Sequence, residues 1–175
     1  MAEVTIENIV SVAKIADSID LQKSATILNV GVREHFPGIL YESKEPKAAT
    51  LIFKNGLIVT TGPKSMEEVR AVLKEVFNLL KKGGVETVDK LEAKVKNIVA
   101  SYDIGQKLDL SEVAGRLTKG KVKYNPKEFP GIIYQVTNPT CTLLIFESGK
   151  VGITGPKKIE DAEKAVDILL NQLAE

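Results

Sequence analysis

The chain contains the same segment twice. Residues 36–64 and 129–157 align without a gap and share 14 identical residues in 29 positions, among them the runs LIF and TGPK. The match extends upstream at a spacing of 89 residues, where IENIV (Ile6–Val10) pairs with VKNIV (Val95–Val99). Self-similarity of this extent predicts two structural units of one kind. We place the two repeats at residues 1–84 and 91–175, with residues 85–90 as a linker.

Within each copy the pattern predicts a strand, a short helix, several antiparallel strands and a long helix. Asp20 suits the N-cap of a short helix, and Ser65 with Glu68 has the spacing of a capping box at the start of a long one. Asn55-Gly56 is a strong hairpin signal. In the first copy we expect strands near Val4–Ala13, Ile39–Lys44, Ala48–Phe53 and Leu57–Thr61, and helices over Leu21–Leu28 and from Ser65 to about Leu80. This order predicts an α+β fold class.

The predicted strands are apolar, or nearly so, on both faces. Leu51 and Phe53 share one face of a strand, while Thr50 and Ile52 take the other. An antiparallel sheet usually keeps one face polar, and the helices of each copy suffice to cover only one face. The second apolar face therefore predicts a binding surface.

The composition excludes several classes of function. A net charge of +1 gives no general attraction to nucleic acid or to an anionic membrane. Cys141, the single cysteine, forms no internal disulfide and fits a reducing compartment, and we expect it to be a small buried residue. His35 is expected at the surface. No run of about 18 apolar residues and no signal peptide is visible, so we expect a soluble intracellular protein.

The repeated motifs resemble those of the TATA-box-binding proteins of archaea and eukaryotes. They are NIV in the first strand, FPG separated from Tyr by two aliphatic residues, a glycine hairpin and TGPK, and the resemblance runs from Val4 to Leu173. It implies a divergent, archaeal-type member folded as a pseudo-twofold saddle, with a curved antiparallel sheet and helices on its convex face. The function implied is a transcription initiation factor that binds and bends A·T-rich DNA through the minor groove.

The resemblance also implies partners and a location. Double-stranded DNA carrying a TATA element, transcription factor B and the RNA polymerase machinery are the expected partners. We expect no enzyme activity, no cofactor, no metal and no membrane association. The protein is expected to act as a monomer on DNA, and a homodimer of the free protein stays open. It would lie in the cytoplasm at the nucleoid of an archaeal cell, or in the nucleus of a eukaryotic one.

Three sets of residues carry the implied DNA contacts. The aromatic wedges that enter base steps are Phe36, Phe53, Phe129 and Phe146. The residues facing the floor of the minor groove are Asn8, Val10, Leu51, Val59, Thr61, Asn97, Val99, Leu144 and Thr154. The phosphate contacts are Lys64, Ser148, Lys150 and Lys157. A guanine amino group against this apolar floor would lack a hydrogen-bond partner, which favours A·T pairs.

Several positions depart from the family pattern. Glu42 and Gln135 replace a usual arginine, and Leu57 replaces a usual lysine, so fewer phosphates would be neutralised. Gly152 replaces a usual valine and thins the apolar floor. In the segment YNPKEF, this chain has Asn125, Lys127 and Glu128. Relatives often have acidic and apolar residues at these positions, with which they contact transcription factor B.

Two other classes of function stay open from the sequence. The protein could be a saddle that has lost DNA binding and regulates transcription through protein contacts, which Glu42 and Leu57 favour. It could also be an enzyme or an accessory domain of one, because fold does not fix function. The sequence shows no acid, base or nucleophile constellation and no metal-ligand spacing. The enzyme interpretation is therefore the weaker of the two.

Overall fold

The computed structural model describes residues 2–175. The chain divides into two compact units: the first unit comprises residues 8–96, and the second unit comprises residues 2–7 together with 97–175. In chain order, the first half contains β1 (Thr5–Lys14), α1 (Leu21–Leu28), β2 (Gly38–Lys44), β3 (Lys47–Phe53), β4 (Leu57–Thr61) and α2 (Met66–Lys82). The second half contains β5 (Lys94–Asp103), α3 (Leu110–Arg116), β6 (Gly120–Lys123), β7 (Ile132–Thr137), β8 (Thr140–Ile145), β9 (Lys150–Thr154) and α4 (Ile159–Ala174).

All strand pairs within each unit are antiparallel. The strand order is β2-β3-β4-β1 in the first unit and β5-β9-β8-β7-β6 in the second. The predicted α+β class is confirmed, and the predicted elements of the first half lie within one or two residues of the observed ones.

The second unit has an edge strand that the sequence did not predict. β6 pairs with β7 through Lys121↔Gln135 and Lys123↔Ile133. In the first unit, residues 29–37 form no strand, and the sequence alignment of the two copies places four additional residues in the corresponding part of the second. Within the described residues, the outer edge of β2 therefore has no neighbouring strand.

The predicted caps are present. The Asp20 side chain accepts a hydrogen bond from the Lys23 N–H, and the Ser65 hydroxyl accepts one from the Glu68 N–H. In a full capping box the Glu68 carboxylate would accept from the Ser65 N–H. Here it accepts instead from the N–H of the preceding residue, Lys64, at 3.5 Å. At the other end of α2, Gly84 has φ +96° and donates to the Lys81 carbonyl, which is the left-handed termination expected of a glycine there.

The hydrophobic core of each unit lies between one sheet face and its helices. α2 buries Val69, Val72, Leu73, Val76 and Leu80, and α4 buries Ala162, Ala165, Val166 and Leu169. On the strands, buried residues alternate with partly exposed ones, as in β3, where Ala48, Thr50 and Ile52 are buried. The helices therefore cover one face of each sheet. No helix of residues 2–175 is long and apolar enough to cross a membrane.

Two buried hydroxyls without a hydrogen-bond partner among residues 2–175, those of Ser11 and Ser24, lie in the first unit. Ser11 is 0% exposed, and its Oγ has no hydrogen-bond partner among residues 2–175. The equivalent position in the second unit is Ala100, which is also buried. Since an unpartnered buried hydroxyl costs about 1–3 kcal/mol, the serine weakens the first unit.

We expect Ser11→Ala to raise the free energy of unfolding by about 1 kcal/mol, because it removes this desolvated hydroxyl. Ala100→Ser is the matched control and should lower the stability of the protein by a similar amount. Urea unfolding followed by circular dichroism would measure both. A loss of stability in Ser11→Ala would show that the hydroxyl is bonded in solution.

Candidate nucleic-acid interface

The sheet face opposite the helices is apolar in each unit and has no cover of its own. We call it the open face. In the first unit it carries Val10, Val12, Leu40, Ala49, Leu51, Phe53, Val59 and Thr61, all partly exposed. In the second unit it carries Val99, Ser101, Ile133, Thr142, Leu144, Phe146, Gly152 and Thr154, which are also partly exposed. The alternation of burial therefore confirms the predicted second face.

Each open face holds one asparagine bonded to a threonine. Asn8 Nδ2 donates to Thr61 Oγ1 at 2.8 Å, and the Gly62 N–H donates to Asn8 Oδ1 at 2.5 Å. In the second unit, Asn97 Nδ2 donates to Thr154 Oγ1 at 3.2 Å, and the Gly155 N–H donates to Asn97 Oδ1 at 2.7 Å. Each asparagine therefore lies against the threonine of its own unit.

These bonds fix what each pair can offer to a ligand. A backbone N–H can only donate, so the amide oxygen must face the glycine, and this sets the orientation of the amide. The asparagine then retains one amide N–H, and the threonine, which accepts from it, retains its hydroxyl hydrogen. Each pair therefore presents two donors. The minor groove of A·T pairs presents only acceptors, adenine N3 and thymine O2.

The two pairs of predicted wedge residues differ in geometry. The rings of Phe129 and Phe146 lie 5.8 Å apart at 58°, and both pack over Gly131, where an added Cβ would lie 3.1 Å from each ring. In the first unit, Phe53 packs over Gly38 in the same way. Phe36 is 37% exposed, and no ring contact between Phe36 and Phe53 is found in the described chain. The structure brings one pair together and leaves the other apart.

The cationic residues predicted at phosphates are exposed. Among residues 2–175, none of Lys64, Lys150 and Lys157 forms an ion pair. Ser148 is exposed in the β8–β9 hairpin, where its hydroxyl accepts from the Lys150 N–H at 3.4 Å. The lysine side chains are thus free of internal carboxylates and available to an anionic ligand.

Four further residues of the open face were not predicted from the sequence. Leu40 pairs with Leu51, and Ile133 with Leu144, so each extends the apolar floor toward the sheet edge. The alternation within ILYESK and IIYQVT could have revealed both. Lys121 and Lys123 share the face of their β7 partners, Gln135 and Ile133. They lie on β6, which was not predicted because the described residues of the first copy contain no equivalent strand.

Two residues that often carry chemistry are placed as expected. Cys141 is buried, and burial, followed by the nearby Asp161, raises the pKa of its thiol to about 11. The thiol is therefore protonated at neutral pH and a poor nucleophile. His35 is exposed. Among the described residues 2–175, no cluster of three or more His, Cys, Asp or Glu side chains could hold a metal ion.

The fold and the open face define a duplicated α+β protein, in which the exposed sheet surface of each unit is apolar and presents hydrogen-bond donors. A family model described as transcription factor TFIID (or TATA-binding protein, TBP) matches residues 3–83 and 92–175. The chain belongs to this family, whose members are transcription factors. The structure matches that of Methanococcus jannaschii TBP with a TM-score of 0.90 and 38% identity, over 99% of each chain.

Two archaeal relatives show the same similarity in sequence. The TATA-box-binding protein of Archaeoglobus fulgidus is 42% identical over 173 residues, which cover 98% of this chain and 94% of that protein. The TATA-box-binding protein of Methanothermobacter thermautotrophicus is 42% identical over 175 residues, which cover 99% and 96%. The resemblance inferred from the repeated motifs is confirmed.

Proposed function

We propose that this protein binds A·T-rich promoter DNA through the minor groove and bends it, as a general initiation factor. The observation that carries the proposal is the asparagine–threonine pair on each open face. Two donors set in an apolar surface match the acceptors of A·T pairs. A G·C pair would instead point its guanine amino donor at the donors of an asparagine–threonine pair, at a cost of about 1–3 kcal/mol for each pair.

The other predicted contacts complete the proposal. Val10, Leu51 and Val59 in the first unit, with Val99 and Leu144 in the second, would lie against the sugars and base edges of a widened groove. The four phenylalanines would enter base steps, and the bend would follow from partial unstacking. Lys64, Lys150 and Lys157, with Ser148, would bind phosphates. We keep residues 1–84 and 91–175 as the two repeats, each assigned to one half of the site.

Fluorescence anisotropy tests the proposal. The protein should bind a duplex with a TATA element about 1,000-fold or more tightly than an equal-length G·C duplex, the lower end of the usual ratio of specific to non-specific binding. The ratio should persist at several salt concentrations, because the phosphate contacts are common to both duplexes. Equal affinities at every salt concentration would refute sequence-selective binding.

Recruitment of transcription factor B and RNA polymerase is the second part of the proposal. The β6–β7 connection carries Asn125, Lys127 and Glu128, all exposed, and Glu128 lies 3.8 Å from Lys123 Nζ. This exposed loop is where we place the contact with transcription factor B. If it acts there, addition of factor B should tighten binding to the TATA duplex. If the affinity for the TATA duplex is unchanged by factor B, recruitment is contradicted while DNA binding is not.

A second candidate function has its own support. Glu42 pairs with Ala49 and so shares the open face, where its carboxylate would repel DNA phosphates. Leu57 is 39% exposed, and a surface leucine suits a protein partner better than a phosphate. A regulator that binds initiation factors without DNA would have these features. Capture of purified factor B in the absence of DNA, combined with no TATA binding, would favour this function.

Replacing Glu42 with arginine should raise DNA affinity, because it removes a repulsive charge and adds a phosphate contact. The slope of log K against log salt concentration should become steeper by about 1, as expected for one additional neutralised phosphate. The change should be equal on TATA and G·C duplexes. Glu67→Arg, at an exposed position on α2, is the control and should have little effect. An unchanged slope in Glu42→Arg would place Glu42 away from the DNA.

A further inference from the structure

The open faces of the two units differ in one matched row of residues. By strand register, Leu40, Leu51, Val59 and Val12 form a row across the first unit. The equivalent row of the second unit consists of Ile133, Leu144, Gly152 and Ser101. Two valines of the first unit are therefore replaced by a glycine and a serine.

The replacement leaves an indentation in the second unit. A Cβ added at Gly152 would meet nothing closer than Leu144 Cβ at 3.7 Å and Leu144 Cδ1 at 3.9 Å, which is ordinary van der Waals contact. The backbone can therefore hold a side chain here, and the glycine is not required by close approach. The space that Val59 fills in the first unit is open at Gly152.

The indentation also contains hydrogen-bond acceptors. Ser101 Oγ donates to Glu7 Oε1 at 2.8 Å, and this bond commits the only hydrogen of the hydroxyl. The oxygen of Ser101 then faces the open side as an acceptor, and the exposed carboxylate of Glu7 adds further lone pairs. The equivalent residue in the first unit, Val12, has no polar side-chain atom. Room and acceptors thus coincide in one unit only.

We infer that this indentation accepts the exocyclic amino group of a guanine, so that the second unit tolerates one G·C pair that the first unit excludes. The inference rests on the proposed minor-groove binding. In the minor groove, a G·C pair differs from an A·T pair by the guanine N2 amino group, a donor that protrudes from the floor. At Gly152 and Ser101 this group finds space and an acceptor, whereas at Val59 and Val12 it finds neither.

A symmetric duplex turns this difference into a measurable signature. On a palindromic A·T site the protein can bind in either of two orientations. A single G·C pair in either half then costs little, because the orientation that places it against the second unit is available. G·C pairs at the symmetric positions of both halves remove that choice and carry the full penalty.

Anisotropy titrations on a palindromic A·T duplex, with each position replaced by G·C in one half or in both, test the inference. At one position of the half-site, we expect a single G·C replacement to reduce the affinity by at most about threefold. Replacement in both halves at that position should reduce the affinity by at least about tenfold. Gly152→Val should raise the loss of affinity from a single replacement to about tenfold, measured relative to the affinity of the same variant for the all-A·T duplex. Val59→Gly, the mirror variant, should instead reduce the loss caused by the double replacement.

Ser101→Ala separates the two contributions, because it keeps the space and removes the hydroxyl acceptor. We expect it to raise the loss of affinity from a single G·C pair, measured relative to the affinity of the same variant for the all-A·T duplex. Thermal unfolding of each variant verifies that the fold is intact, and Val59→Gly supplies an independent readout if Gly152→Val unfolds.

The outcomes distinguish this inference from the proposed function. Wild-type protein that fails to bind the all-A·T duplex would overturn both. The inference alone would be overturned if the wild-type protein binds the all-A·T duplex but a single G·C pair reduces its affinity about tenfold at every position. Retention of the tolerance in Gly152→Val, with no relief in Val59→Gly, would also overturn it.

Discussion

Replacing Phe129 and Phe146 with alanine is expected to abolish DNA bending. These rings are already packed together over Gly131, so in the proposed complex they would enter a base step as one preassembled wedge. Unstacking a step costs a few kcal/mol, and the inserted rings, together with the larger contact that bent DNA makes with the protein, would offset this cost. Energy transfer between dyes at the ends of a TATA duplex should therefore fall to the value of free DNA, with at least about a tenfold loss of affinity.

Phe77→Ala is the control for the loss of an aromatic side chain. Phe77 lies on α2, with Lys81 Nζ 5.7 Å from its ring centroid, and it is remote from the open face of its unit. This variant should bend DNA as the wild type does. If the double variant at Phe129 and Phe146 also bends DNA fully, the inserted residues have been wrongly assigned.

The second large effect is expected from Asn8→Asp combined with Asn97→Asp. Aspartate keeps the oxygen that accepts from the Gly62 or Gly155 N–H, so the local fold should persist. It replaces the amide donor with an acceptor, which would face the acceptors of the A·T minor groove. With a penalty of about 1–3 kcal/mol at each site, we expect a loss of TATA affinity of about 100-fold or more.

The matched control for charge is Asn78→Asp combined with Asn171→Asp. These asparagines are exposed at equivalent positions on α2 and α4, so this variant has the same change in net charge. Its affinity at physiological salt should stay within about threefold of wild type, because charges beyond a Debye length are screened. Similar losses in the two double variants would show that net charge, and not the amide donor, governs binding.

The repeat predicted most of the fold because each copy supports the interpretation of the other. Asn55-Gly56 and Ser148-Gly149 fix two hairpins at matching positions, and the strands around them follow from alternation. The asparagines and threonines also recur at matching positions in both copies, and the family resemblance assigned them to one surface. Features shared by the two copies could thus be predicted from the sequence.

Features that differ between the copies were not predicted. β6 lies where the sequence alignment of the two copies places four additional residues in the second, so the first copy gave no guide to it. The separation of Phe36 from Phe53 has the same origin, because Phe36 follows the shorter connection, in which His35 takes a left-handed φ of 66°. Whether a ring stacks depends on the path of its loop, which side-chain spacing does not determine.

The acceptor at Ser101 also could not be read from the sequence. Its hydroxyl becomes an acceptor only because its hydrogen is committed to Glu7, which is 94 residues away along the chain. A hydrogen bond of this range depends on tertiary structure. The sequence marked Gly152 as a departure from the family, but gave no reason to combine it with Ser101.

The most direct test of the central claim uses inosine. An inosine·cytosine pair has the minor groove of an A·T pair and the major groove of a G·C pair, because inosine lacks the N2 amino group. If the open faces read the minor groove, a TATA duplex in which every A·T pair is replaced by inosine·cytosine should be bound with nearly the affinity of the original, while the G·C duplex is not. Binding of the inosine duplex as weak as that of the G·C duplex would contradict minor-groove recognition by this protein.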